Sequence, residues 1–233
     1  MPILLLLLVT LTVNAYAQYT NESELSSIRT GGNSEVLTTN TKTLNTYLWN
    51  LNQLRMGGHY TYGEANTDVS ARNWDINSRY ERELSPRVSA VVGEVVEGNR
   101  FIGIKSRYNS DLGLKYYSLK TDLKNFFTEL SYRYSVEDRF APLPNSYDNK
   151  GRFYNEYNHK YSETLQYRFW LEIIPNFTDS RDYLVNGEAS LTTILTSMFS
   201  LKLAYLGMYD NRPAFEGFEN YDFTTSTSLV AKF

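Results

Sequence analysis

The chain has 233 residues with 20 Tyr, 12 Phe, 3 Trp and no Cys, and 23 basic against 26 acidic side chains leave a net charge of −3. Zero Cys excludes a disulfide scaffold, a thiolate zinc site and a cysteine nucleophile, and the near-balanced charge argues against general nucleic-acid binding. A mean hydropathy of −0.44 rules out a polytopic helical membrane protein but not a membrane β-barrel, where every second residue can be polar.

The amino terminus reads as a targeting signal. Ile3 to Val9 form an unbroken apolar run, and Ala15-Tyr16-Ala17 is a small-x-small site followed by Gln18. The expectation is a secretory signal at 1–17, cleaved after Ala17, and one mature domain at 18–233. The run is too short to cross about 30 Å of hydrocarbon.

After residue 18 the apolar pattern has period two. Trp74, Ile76 and Tyr80 alternate with Asp75, Asn77 and Arg79. Ile102, Ile104, Tyr108, Leu112, Leu114 and Tyr116 oppose Lys105, Arg107, Asn109, Asp111 and Lys115. Phe126, Leu130, Tyr132 and Tyr134 oppose Glu129, Ser131 and Arg133. Farther on, Leu165, Tyr167, Phe169, Leu171 and Ile173 oppose Gln166, Arg168 and Glu172. Such strands have one apolar and one polar face. Twelve strands fit, at 22–31, 36–49, 52–62, 69–84, 87–97, 101–119, 123–138, 152–161, 164–176, 183–196, 199–209 and 221–233. The first, second, fifth and eighth alternate poorly. Many match the roughly 9–11 residues that a tilted strand needs to cross a bilayer.

The connections alternate in length. Those after even strands are tight, as at Asn50-Leu51 and Ser85-Pro86. The two longest, Arg139 to Gly151 and Asp210 to Asn220, follow odd strands. Short periplasmic turns and longer outer loops are the outer-membrane pattern. The fold class expected is therefore all-β, an antiparallel up-and-down transmembrane barrel of twelve strands. Tyr and Trp at strand ends suit the membrane–water boundary. Terminal Phe233, with Leu229 and Ala231 on its face, is similar to the C-terminal signal read by the outer-membrane assembly machinery.

The chain resembles the YdiY-like family of salt-induced outer-membrane proteins, a domain of unknown function. The residues that carry the likeness are Thr30-Gly31-Gly32-Asn33-Ser34, then Arg107 and Gly113, then Met208 to Pro213, Asp222, and Thr225 to Phe233. The family usually reads Thr-Gly-Asn-Ser at the first of these, so Gly32 is an addition. The resemblance implies an outer-membrane β-barrel and no established chemistry.

No catalytic, cofactor or metal site is expected. Of the two His, His59 falls on a polar strand face and His159 near a periplasmic turn, which suits neither a phospholipase-like nor a protease-like barrel. The acidic loop residues Glu216, Glu219, Asp222, Asp179 and Asp182 could offer oxygen ligands to Ca²⁺ but read as solvated groups or as groups cross-linked by divalent ions to lipopolysaccharide. The polar strand faces would line the barrel interior with Arg55, Asp75, Arg79, Lys105, Arg107, Asp111, Lys115, Glu129, Arg133, Arg168, Glu172, Glu188 and Lys202. Interleaved signs fit either a cross-braced interior or a narrow hydrated pore. Surface-loop adhesion and an outer-membrane enzyme are the competing functions. The partners expected are outer-membrane lipid, lipopolysaccharide and the assembly machinery, without nucleic acid. Sequence leaves the oligomeric state open.

Overall fold

A computed structural model of the chain describes residues 18–30, 36–66, 68–213 and 219–233. The twelve strands are β1 (Gln18–Thr30), β2 (Val36–Trp49), β3 (Asn52–Ala65), β4 (Asp68–Ser85), β5 (Val88–Asn99), β6 (Ile104–Lys120), β7 (Lys124–Arg139), β8 (Ser146–Lys160), β9 (Leu165–Pro175), β10 (Tyr183–Ile194), β11 (Phe199–Asp210) and β12 (Tyr221–Lys232). Each pairs antiparallel with the next, and β12 returns to β1 to close the barrel. The signal segment expected at 1–17, the Gly31-Gly32-Asn33-Ser34 turn and Glu216 lie outside the described residues.

Burial is inverted relative to a water-soluble protein. Ile76, Leu112 and Leu130 stand 61–64% exposed on the outer face, whereas Glu129 and Glu137 are 2% exposed inside. A ring of exposed Leu, Ile, Phe and Tyr around buried charges is stable only where lipid covers it. The chain is a transmembrane β-barrel.

Alternation fails where outward positions are polar. On β1 and β2 the outer face carries Asn21, Ser23, Ser27, Thr39, Thr43 and Asn45. Their side chains bond one another, as in Asn21 to Asn45 at 3.0 Å and Ser27 to Thr39 at 3.3 Å. These strands are set by their ladder with neighbours and not by an apolar face.

Three local differences from the sequence expectation have physical causes. The segment expected to open a strand at 101 is a 3-10 turn, Arg100–Ile102, capped by the Asn99 side chain and ended by Gly103 at φ 81°. A bulge between Ile104 and Ser106 then shifts the alternation by one. Ile104 turns inward, 4% exposed, instead of toward lipid. Finally, β8 begins at Ser146, inside the loop expected from Arg139 to Gly151. Its first inward residues are Ser146, Asp148 and Lys150, so no apolar stripe announces it.

Candidate pore lining

The inward faces of β4 to β8, with Glu172 and Trp170 of β9, form a braced wall. Arg133 meets Asp111 on the next strand through two bonds, Nε at 2.7 Å and Nη2 at 2.8 Å. Arg107 joins Glu137 at 2.7 Å and Glu97 at 3.1 Å. Some links leap over intervening strands. Lys115 on β6 donates to Glu81 on β4 at 2.7 Å, with both side chains under 10% exposed. Arg79 on β4 pairs with Glu129 on β7. Arg152 on β8 joins Glu129 to Glu172. Each carboxylate here has at least one guanidinium or ammonium partner, the condition under which buried charge is tolerated.

Aromatic rings complete this wall. Tyr117, Phe127, Tyr154 and Trp170 run across four successive strands, with neighbouring ring centres 5.5 to 5.9 Å apart. The Lys115 ammonium lies 4.1 Å from the Phe127 centroid, and the Arg152 guanidinium 4.7 Å from that of Tyr154. Such contacts add cation–π attraction to the ion pairs.

The opposite wall is looser. Lys42 is exposed. Its register partners, Glu24 and His59, place it on the inward face. Among the described residues Lys42 makes no ion pair. Arg55, 29% exposed, reaches Glu81 only at 3.7 Å. Arg168 pairs with Glu156 at 2.7 Å and Glu188 at 3.6 Å, yet keeps 35% of its side chain exposed. Lys202 on β11 reaches Glu24 on β1 at 3.1 Å and Glu188 at 3.5 Å.

His59 is fully engaged. Its Nδ1 lies 3.0 Å from Asp75 and its Nε2 2.7 Å from the Thr61 hydroxyl. Thr61 in turn donates to Asn40 Oδ1 at 2.7 Å. His159 faces the other way, among the rings of Tyr157, Tyr161 and Tyr167. Among the described residues no three His, Asp or Glu side chains are grouped to hold a metal ion.

Lys105 is a correction. The bulge beside it turns it away from the interior. It is 60% exposed and pairs at 3.0 Å with Asp138, on the outer side of β7. The other twelve charged residues expected inside carry inward side chains. Sequence reasoning missed Lys150, Arg152, Glu156 and the ring ladder. Glu81 and Glu137 share the parity of Arg79 and Arg133, and extending that parity finds them. Above the wall, Arg212 of the β11–β12 loop pairs with Asp179 of the β9–β10 loop. A backbone N–H of Arg181, then its side chain, holds the Asp179 carboxyl below the ordinary carboxylate range.

A family model described as a protein of unknown function, DUF481, matches residues 23–233. No curated protein matches. Two solved structures share the architecture. The NanC porin is 14% identical, with a TM-score of 0.53 over 92% of this chain and 98% of that one. The COG4313 outer membrane channel from Pseudomonas putida F1 is 10% identical, with a TM-score of 0.55 over 93% and 95%. At these identities the likeness is one of fold.

Proposed function

This chain belongs to the DUF481 family, and from that premise we propose that it forms a narrow aqueous pore in the outer membrane for small polar solutes, with a preference for anions. The observation that carries the reading is the contrast between the two inner walls. The central charges on the braced side are nearly sealed, with Glu129 and Glu137 at 2% exposure, although Glu97 keeps 34% and Asp75 24%. Of those that remain accessible opposite, Lys42, Arg55 and Arg168 are cationic, whereas the acid Glu22 is matched by Lys232 at 2.8 Å and Asp222 stands at the outer end of β12. A confined path lined by one sign concentrates the opposite ion.

No catalytic step is part of this reading. The Thr61 hydroxyl donates to Asn40, so its proton is not directed at His59. Outer-membrane lipid and lipopolysaccharide would surround the barrel. The assembly machinery would read Leu229, Ala231 and Phe233, whose side of β12 faces outward, with Phe233 65% exposed.

Purified protein in a planar bilayer tests the pore. Discrete conductance steps with an anion-favouring reversal potential in a KCl gradient are expected. Lys42→Glu should move that potential toward cation selectivity. Silence from a correctly folded barrel would overturn the pore and favour a purely structural role, with the links that leap across the interior as its support.

A further inference from the structure

The barrel closes through a short ladder. β1 and β12 pair at Glu22↔Lys232, Ser23↔Ala231, Glu24↔Val230 and Leu25↔Leu229. Backbone bonds of 2.9 and 3.0 Å between Asn21 and Phe233 extend it toward the periplasmic end. Past Leu25 the two strands do not pair among the described residues. Each nevertheless keeps its other neighbour. β1 follows β2 to Thr30↔Val36, and β12 follows β11 to Tyr209↔Tyr221. Had the register continued, Ser27 would sit opposite Thr227.

This split lies at membrane depth. The tilted Tyr19–Tyr47 pair, 4.9 Å between ring centres, marks the periplasmic boundary. Ser27 is eight residues farther along β1. A tilted strand climbs about 2.4 Å per residue, so Ser27 stands roughly 20 Å up an apolar band of about 25 Å. Unpaired backbone in hydrocarbon costs several kcal/mol per group. Here hydroxyls are at hand. Residues 224–228 of β12 read Thr-Thr-Ser-Thr-Ser, and β1 offers Ser26 and Ser27. Inside the barrel near this level three apolar side chains stand among polar ones, Glu188 and Asn186 being the β10 partners of Leu206 and Met208. Leu206 is the register partner of Thr224, and Met208 that of Asp222. Leu184 stands on the same inward face of β10. Met208 is 38% exposed, so this patch is open to the interior.

We propose that the split between β1 and β12 above Leu25↔Leu229 is a lateral portal between the outer leaflet and the barrel interior. Its ligand is a single-chain amphiphile. The alkyl chain lies against Leu184, Leu206 and Met208, and the polar head bonds to the hydroxyls of β12. This activity is separate from ion conduction and goes beyond the aqueous pore.

Two measurements test it. The protein contains no Cys, so Ser27→Cys with Thr227→Cys carries only two thiols. In phosphatidylethanolamine–phosphatidylglycerol vesicles, a diazirine-bearing fatty acid should label the inward residues around Leu206 and Met208. Oxidising the double variant should abolish that labelling, and reductant should restore it. Ion conductance should persist in both states, which separates this proposal from the pore reading. Equal labelling of the locked and reduced forms, or labelling confined to outward residues, would overturn the portal. The unmodified protein supplies the second measurement. Amides of Ser27, Thr225 and Thr227, which point across the split, should exchange with deuterium much faster than those of Leu201–Tyr205. Equal protection would overturn the portal even if the double variant does not fold.

Discussion

Buried charge pairs differ from surface pairs because neither partner can return to water when the other is lost. Arg133 and Asp111 are the clearest example, with two short bonds and side-chain exposures of 11% and 3%. Asp111→Asn leaves a guanidinium facing a neutral amide in a confined site. The expected loss is about 3–5 kcal/mol of folding stability, read as a lower urea midpoint of the folded band. Asp111→Leu combined with Arg133→Met should recover most of that loss, because removing both charges removes the desolvation penalty as well. The single-residue parity that reveals this pair is legible in sequence, since Arg133 sits between outward Tyr132 and Tyr134 and Asp111 precedes outward Leu112. The pairing itself is not legible. Which carboxylate meets which guanidinium depends on strand register, and links such as Arg79 to Glu129 span strands that are not adjacent.

At the scale of elements, close approach between strands constrains the braced wall. Gly113 on β6 faces Ser131 on β7 across the ladder. A Cβ there would stand 2.3 Å from the Leu130 carbonyl oxygen and 2.4 Å from Ser131 Oγ. The first neighbour is backbone and cannot rotate away. Gly113→Ala should therefore cost about 1–3 kcal/mol. Gly93→Ala is the control, because its nearest neighbour is the end of the Arg79 side chain at 3.4 Å. Equal thermal midpoints for the two variants would show that β6 and β7 separate more easily than their register implies. The same scale explains which strands sequence revealed. β4, β6, β7 and β9 pair an apolar outer face with a polar inner one, so period two exposes them. β1 and β2 are polar on both faces. In β8 the outward Asn149, Gly151 and Asn155 dilute the pattern, and its early start at Ser146 was hidden. The bulge at Ile104 could not be read at all, because Ile104 and Lys105 obey the alternation in sequence and break it only in space.

The whole molecule holds two populations of charge with different exposure to solvent. One is sealed in the wall from β4 to β8, where pairs such as Lys115–Glu81 exclude water. The other, Lys42 with parts of Arg55 and Arg168, faces the open side of the interior. Salt acts on the two differently, because mobile ions screen only the charges they can approach, over about 10 Å at 0.1 M and about 3 Å at 1 M. Raising KCl from 0.1 to 1 M should therefore leave the heat-induced shift from folded to unfolded gel mobility nearly unmoved. Over the same range the anion preference of the pore should fall toward that of bulk solution. A thermal midpoint that tracks salt as strongly as selectivity does would mean that the braced wall is wetted, and that the inner charges form one solvated population. If the midpoint stays constant while selectivity collapses, stability and permeation are carried by different residues of the same interior. Variants such as Lys42→Glu could then retune the pore without unfolding the barrel.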